Sequence, residues 1–161
     1  MAKAVSTFAL VAVLTAALAA MSILVTQKGY SEGAIGLSRL DGLANATTFI
    51  PLAAIYFFSG MLLMVLPMRA ASFVLVNATD TLFLTTIALL ATILGVLVAR
   101  AAFGQTGALW ALADWRFVFA AAVIACHFIL DELRRNVLLR SIAFAAFIAA
   151  TVLCLFWTFR F

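Results

Sequence analysis

Asp80 and His127 are the residues of this chain whose presence packing explains least, since each stands at or within a long apolar stretch. An ionised side chain placed in hydrocarbon costs about 2.5–3.5 kcal/mol on insertion scales, so it needs a reason to be there. Asp80 is accompanied by Asn77, Thr79 and Thr81, with Thr85 and Thr86 a turn further on. Such a group suits an ion or proton site, with the carboxylate titrating and the hydroxyls supporting it. The same residues also suit an ordinary helix start, where an acid answers the helix dipole and Asn or Thr caps free N–H groups.

His127 is the single histidine, and Asp131 follows four residues later on the same helical face, ahead of Arg134 and Arg135. That spacing permits a His–Asp hydrogen bond able to relay a proton. The plainer alternative is a histidine snorkelling beside a hairpin turn clipped by an Asp–Arg link. The candidate ion or proton site is therefore Asp80, Thr81, Asn77, His127 and Asp131. One histidine supplies neither the axial pair of a bis-histidine haem nor most of a metal shell, so the expectation is no cofactor and no metal. Cys126 and Cys154 lie in apolar stretches without CxxC spacing and suit small core positions.

The elements that must carry these residues follow from composition. The 161 residues are 68% hydrophobic and 10% charged, and mean hydropathy is +1.26. A soluble domain is roughly 45–50% apolar and 25% charged. Ten Lys or Arg and six Asp or Glu cannot coat a water-facing surface of this size. Disorder is excluded too, because 15 Phe do not belong in a chain that avoids collapse. The fold class is accordingly all-α: a polytopic transmembrane helical bundle in a lipid bilayer, of about five spans, with four as the alternative. The net charge of +4 would suggest nucleic acid in a soluble domain. Here the cations are scattered, Arg134–Arg135 is the only adjacent pair, and no basic stripe exists for a nucleic acid to follow.

About 20 apolar residues cross a hydrocarbon core of about 30 Å. On that measure the spans lie at about 4–27, 47–68, 81–99, 109–130 and 141–159, within one integral membrane domain. The first follows Lys3 and resembles a secretory signal, with Ala17-Leu18-Ala19 at the place of a cleavage site; it reads as a retained signal anchor. Residues 28–45 form a polar, glycine-rich connection with a short interfacial helix around 34–40. Pro51 stands in the first turn of the second span and Pro67 at its far end. Residues 70–79 are expected to be a connector, the alternative being one long tilted helix with Asp80 inside it. The segment 131–136 is a tight charged link making the last two spans a helical hairpin.

Trp110, Asp114, Trp115 and Arg116 near the fourth span, and Trp157 and Arg160 at the end of the fifth, have the pattern of interfacial anchors. Five spans divide the ten cations equally between the two sides. The clustered arginines and Lys3 favour a cytoplasmic N-terminus, and the setting expected is a bacterial inner membrane. A short echo, Leu43-Ala-Asn-Ala-Thr47 and Leu75-Val-Asn-Ala-Thr79, fits convergent helix capping or a remnant of an inverted repeat. Small residues such as Gly60, Gly95 and the 143–150 run let helices approach closely, though no strict GxxxG occurs.

No GxxxxGK[ST], HExxH, GxSxG or dinucleotide-binding glycine pattern is present, so no catalytic residues are assigned and an enzyme is disfavoured. Asn45 and Pro51 have the spacing of a motif in membrane-associated eicosanoid and glutathione enzymes, but Thr48 stands where those carry glutamate. Three Trp without Trp-Pro pairs do not make a tryptophan-rich sensory protein. No family is recognised. The expected function is an accessory or structural subunit of a larger membrane complex, with a membrane-protein partner or a second copy. The runner-up is a transporter or channel component using Asp80 and the His127–Asp131 face, and an intramembrane enzyme on lipid or quinone comes last.

Overall fold

A computed structural model describes residues 1–66 and 69–160, and of residue 70 the backbone alone. Six α-helices account for most of it: α1 Ala2–Gln27, α2 Ser31–Leu43, α3 Phe49–Val65, α4 Arg69–Ala102, α5 Phe117–Arg135 and α6 Val137–Arg160. Short 3-10 turns cover Ala46–Thr48 and Thr106–Ala113, and no strand occurs among the described residues. Among the described residues, four helical stretches are long and apolar enough to cross a membrane: Ala2–Gln27, Ser31–Val65, Ala71–Ala102 and Val137–Arg160. A fifth is obtained if Thr106–Ala113 and Phe117–Arg135, bent by 59°, count as one.

The chain divides into two compact units, residues 1–46 with 87–115 and residues 47–86 with 116–161. In the first, α2 folds back on α1, and the second half of α4 packs there as well. Ala19 of α1 and Val96 and Ala99 of α4 form a small buried cluster, covered by Leu37, Leu40 and Ala44. The close approach of α1 and α4 depends on Gly95: a Cβ there would lie 2.6 Å from the carbonyl oxygen of Ala12 and 3.0 Å from the amide nitrogen of Ala16. With so little room, only a residue without a side chain lets the two backbones meet. Arg100 pairs with Asp41 at the edge of this unit.

The second unit is built around α3, which packs along α6 and also against α5, while α5 and α6 form a hairpin. Phe49, Ile50, Ala53, Tyr56 and Phe57 of α3 are buried there, with Val123, Phe147 and Cys154 from its neighbours. Gly60 faces the ring of Phe147 and plays on α3 the part that Gly95 plays on α4.

Helix ends follow local chemistry. After α1 and after α4 the chain turns through a glycine with positive φ, Gly29 at 89° and Gly104 at 85°. In both, the next amide reaches back to the helix, Tyr30 to Val25 and Gln105 to Arg100, which closes the open carbonyls in a Schellman pattern. The link between α5 and α6 is shorter still. Asn136 alone separates them, and its side-chain oxygen accepts the amide of Leu138, capping α6.

Several expected boundaries move. Residues 70–79 are not a connector, because α4 is one helix of 34 residues with Asp80 well inside it. The stretch from 69 to 94 contains neither Gly nor Pro, so nothing interrupts the first turns. Asp80 is therefore no helix-start acid. The polar connection after α1 is largely helical, α2 taking 13 residues of it. The expected 109–130 span is broken, since Asp114 to Arg116 separate a 3-10 turn from α5. The end of the second span at Pro67 and Met68 lies outside the described residues.

Gly95→Leu should force α1 and α4 apart and lower the stability of the folded protein in detergent by about 1–3 kcal/mol, the usual range for overpacking. Gly42→Ala, which has open space around it, should leave the melting temperature unchanged or raise it. Equal melting temperatures for Gly95→Leu and wild type would show that the contact is not needed.

Candidate functional site

Three helices of the second unit bring an acid, an imidazole and a phenol into one line. Tyr56 comes from the middle of α3, Asp80 from α4 and His127 from α5. The Tyr56 hydroxyl lies 3.2 Å from Nδ1 of His127, and Asp80 Oδ1 lies 3.5 Å from Nε2. Both nitrogens of the imidazole are thus engaged. With Nε2 protonated toward the carboxylate, Nδ1 accepts the hydrogen bond of the phenol.

The ring is held in place as well as bonded. Phe83 stands one turn after Asp80 on the same face of α4, and its ring stacks on the imidazole at 4.0 Å with 9° between planes. Tyr56 meets the same imidazole edge-on at 6.1 Å, and Phe128 closes against Phe83 at 6.0 Å. Aromatic packing of this kind adds about 0.5–1.5 kcal/mol per pair beyond burial. It also resists rotation of the imidazole, so the two nitrogens keep separate partners.

Exposure runs in one direction along the line. Tyr56 is fully buried, the His127 side chain is 18% exposed, and the Asp80 side chain is 56% exposed. The phenol is the inner end and the carboxylate the outer one. Asp80 Oδ1 is the exposed acceptor that faces Nε2 of His127. Tyr56 fixes the imidazole from behind.

Axial distances place Tyr56 and His127 midway along α3 and α5, and Asp80 a third of the way along α4. At 1.5 Å per residue, His127 is about 16 Å from Arg116 and about 12 Å from Arg135, and Asp80 is about 16 Å from Arg69. The ends of the unit are marked by cations. Arg69, Arg134, Arg135 and Arg140 line one cavity. At the other end Arg116 donates to the Thr47 hydroxyl at 2.6 Å, and the Arg160 guanidinium lies 5.7 Å from the Phe156 ring and 5.8 Å from Trp157. The 19 residues of α5 rise about 28 Å between these ends.

Of the five residues expected to form a site, Asp80 and His127 meet. The His127–Asp131 hydrogen bond that the spacing permits is not seen among the described residues: the nitrogens face Tyr56 and Asp80, and Asp131 lines the arginine cavity. The Thr81 hydroxyl donates to the carbonyl of Asn77 at 2.8 Å, and those of Thr79, Thr85 and Thr86 donate to carbonyls one turn back. The threonines satisfy themselves on the helix rather than serving the carboxylate. Among the expected anchors, Trp110 is strongly exposed and Trp115 half so. Asp114 lies just after the 3-10 turn. Arg116, Trp157 and Arg160 gather at one end of the second unit, where Trp157 lines a hollow with Thr47 and Pro51.

Tyr56 was missed by sequence reasoning. The available signal was a phenol in the middle of an apolar span, which needs a hydrogen-bond partner when buried. Among the described residues, no three His, Cys, Asp or Glu side chains converge as a metal shell. Comparison of the chain with protein-family models, with curated proteins and with solved structures finds no match.

Tyr56→Phe removes one hydrogen bond and should cost about 1 kcal/mol of stability. It should also shift the 15N resonance of His127 Nδ1 in the detergent-solubilised protein, while Tyr30→Phe leaves it in place. An Nδ1 resonance identical in Tyr56→Phe and wild type would mean that the phenol does not bond the ring.

Proposed function

We propose that this chain is a multi-pass integral membrane protein of the bacterial inner membrane, and that it serves as a proton-handling subunit of a larger membrane assembly. The observation that carries this reading is the imidazole of His127, engaged by Tyr56 at one nitrogen and Asp80 at the other, within helices that are largely apolar.

The membrane part rests on length and on what lies at the helix ends. Helices that satisfy their own backbone groups are, with closed barrels, the structures that can cross hydrocarbon, and helical bundles belong to inner rather than outer membranes. The arginine ends of the second unit are separated by about 28–30 Å, the thickness of a hydrocarbon core. Five spans are counted by joining the bent pair, with α1 as a retained signal anchor. The four-arginine end is the cytoplasmic one by the positive-inside rule.

The proton part rests on residue chemistry. Histidine can take up a proton at one ring nitrogen and give it up to a neighbouring carboxylate. Inside an apolar layer such a pair can hold a proton. Intramembrane ionisable residues belong by default to pathways of this kind.

The subunit part rests on the exposure of Asp80. A carboxylate more than half exposed on a helix crossing lipid is expensive unless a partner helix or a second copy covers it. In that reading, close to the accessory subunit expected from the sequence, the Asp80–His127 pair also docks the neighbour.

Two measurements test the proposal. The protein should stay with the membrane fraction after alkaline carbonate extraction, and release into the soluble fraction would end the membrane reading. Proteoliposomes containing the protein with its co-purified partners should show dye-reported proton movement that falls at least tenfold in Asp80→Asn and in His127→Phe. Undiminished movement in both variants, or wild-type movement no greater than in empty vesicles, overturns the proton assignment.

A further inference from the structure

At the Arg69 end of the second unit lies a cavity of about 550 Å³ lined by Arg69, Arg134, Arg135 and Arg140, together with Asp131 and Ser72. Its remaining wall is apolar and comes from the last turn of α3, Leu63 to Leu66. We propose that this cavity binds the phosphate of an anionic phospholipid headgroup.

The four guanidiniums are brought together by the fold and not by a run of charge. Arg69 comes from the start of α4, Arg134 and Arg135 from the end of α5, and Arg140 from the first turn of α6. One carboxylate, Asp131, faces four cations, so the cavity carries an uncompensated positive charge of three. Among the described residues none of these four arginine side chains has a hydrogen-bond or ion-pair partner within the chain.

Helix electrostatics explain half of the cluster and oppose the other half. Arg134 and Arg135 complement the negative C-terminal end of α5. Arg69 and Arg140 sit in the first turns of α4 and α6, where the dipole disfavours a cation. Four like charges assembled partly against the local field are stabilised by an anion placed among them. Guanidinium forks match phosphate oxygens in pairs, which a shared lysine charge would not do.

The apolar wall decides what kind of phosphate. A soluble phosphate ester gains nothing from Leu63 to Leu66, whereas the glycerol and first acyl carbons of a phospholipid pack on them while the phosphate meets the arginines. The volume is within the range of sites that hold a small polar headgroup. Basic pockets at the cytoplasmic end of transmembrane helices suit anionic lipid. This inference rests on the membrane reading above and is independent of the proton assignment.

The test uses the full chain purified in a neutral detergent, titrated separately with phosphatidylglycerol, phosphatidylcholine and inorganic phosphate, with bound lipid counted by native mass spectrometry. Phosphatidylglycerol should bind at least tenfold tighter than phosphatidylcholine, and more weakly as salt is raised. The double variant Arg69→Gln with Arg140→Gln should lose at least tenfold of that binding, and Arg69→Lys with Arg140→Lys should lose less. Circular dichroism checks that both variants keep their helices. Should the glutamine variant misfold, the lysine pair decides: it keeps the charge, and its loss must be specific to phosphatidylglycerol. Equal binding of the two lipids, or undiminished binding in a folded glutamine variant, overturns the inference. So does inorganic phosphate that competes as well as phosphatidylglycerol, which would mark a site for a soluble phosphate ester. A protein that remains in carbonate-washed membranes yet fails to discriminate the lipids defeats this inference alone.

Discussion

A polar group surrounded by apolar side chains must find its hydrogen-bond partner within the protein, and this chain has few polar side chains to offer. That constraint orders most of what is seen. Five threonines of α4, Thr79, Thr81, Thr85, Thr86 and Thr92, donate their hydroxyls to carbonyls three or four residues back. Thr151 and Thr158 do the same on α6. Each is made locally neutral at no cost to the rest of the bundle, which leaves the helices free to pack through small residues and aromatic rings. Groups that cannot be served by their own helix must meet across helices, and these are the ones that gather: Asp80 with His127 and Tyr56, Arg100 with Asp41, Arg116 with Thr47.

The same constraint explains what could be seen in advance. Apolar length marks the helices and the glycine-rich run after α1 marks a turn, whereas the charged residues 131–135, read as part of the link, end α5 and leave Asn136 alone between the helices. Asp80 was misplaced because threonine and asparagine are equally at home capping a helix and lying inside one. Side-chain polarity alone therefore does not distinguish a start from a mid-helix turn. The absence of Gly and Pro from 69 to 94 was the better guide. The rule that a helix continues until something stops it outweighed the cap-like composition of 77–81.

Of the site, the sequence carried the residue types but not the partners. His127 and Asp131 are neighbours by helical spacing, so a local pairing is one the sequence permits. The actual partners, Tyr56 and Asp80, are distant in sequence, and nothing in a one-dimensional pattern reports which faces of α3, α4 and α5 converge. The stacking of Phe83 on the imidazole belongs to the same class of information. It follows from Asp80 and Phe83 sharing a face of α4, a relation that becomes visible only once α4 is known to be one uninterrupted helix.

Stability is a weak explanation for the Tyr56–His127–Asp80 line. A hydrogen-bonded ionisable pair in an apolar setting gains less than its desolvation costs unless its geometry is close and its remaining lone pairs are met. Here the carboxylate–imidazole distance is 3.5 Å and the carboxylate is only half covered. Replacing Asp80 with an apolar side chain of similar size would leave the Phe83 stack on the imidazole and the Tyr56 hydrogen bond in place and remove the cost of the carboxylate. The ring stacking holds the imidazole in position whether or not it is charged, while its outer nitrogen stays within reach of an exposed acid. A core selected for packing alone gains nothing from that combination, and the proposed proton role rests on it.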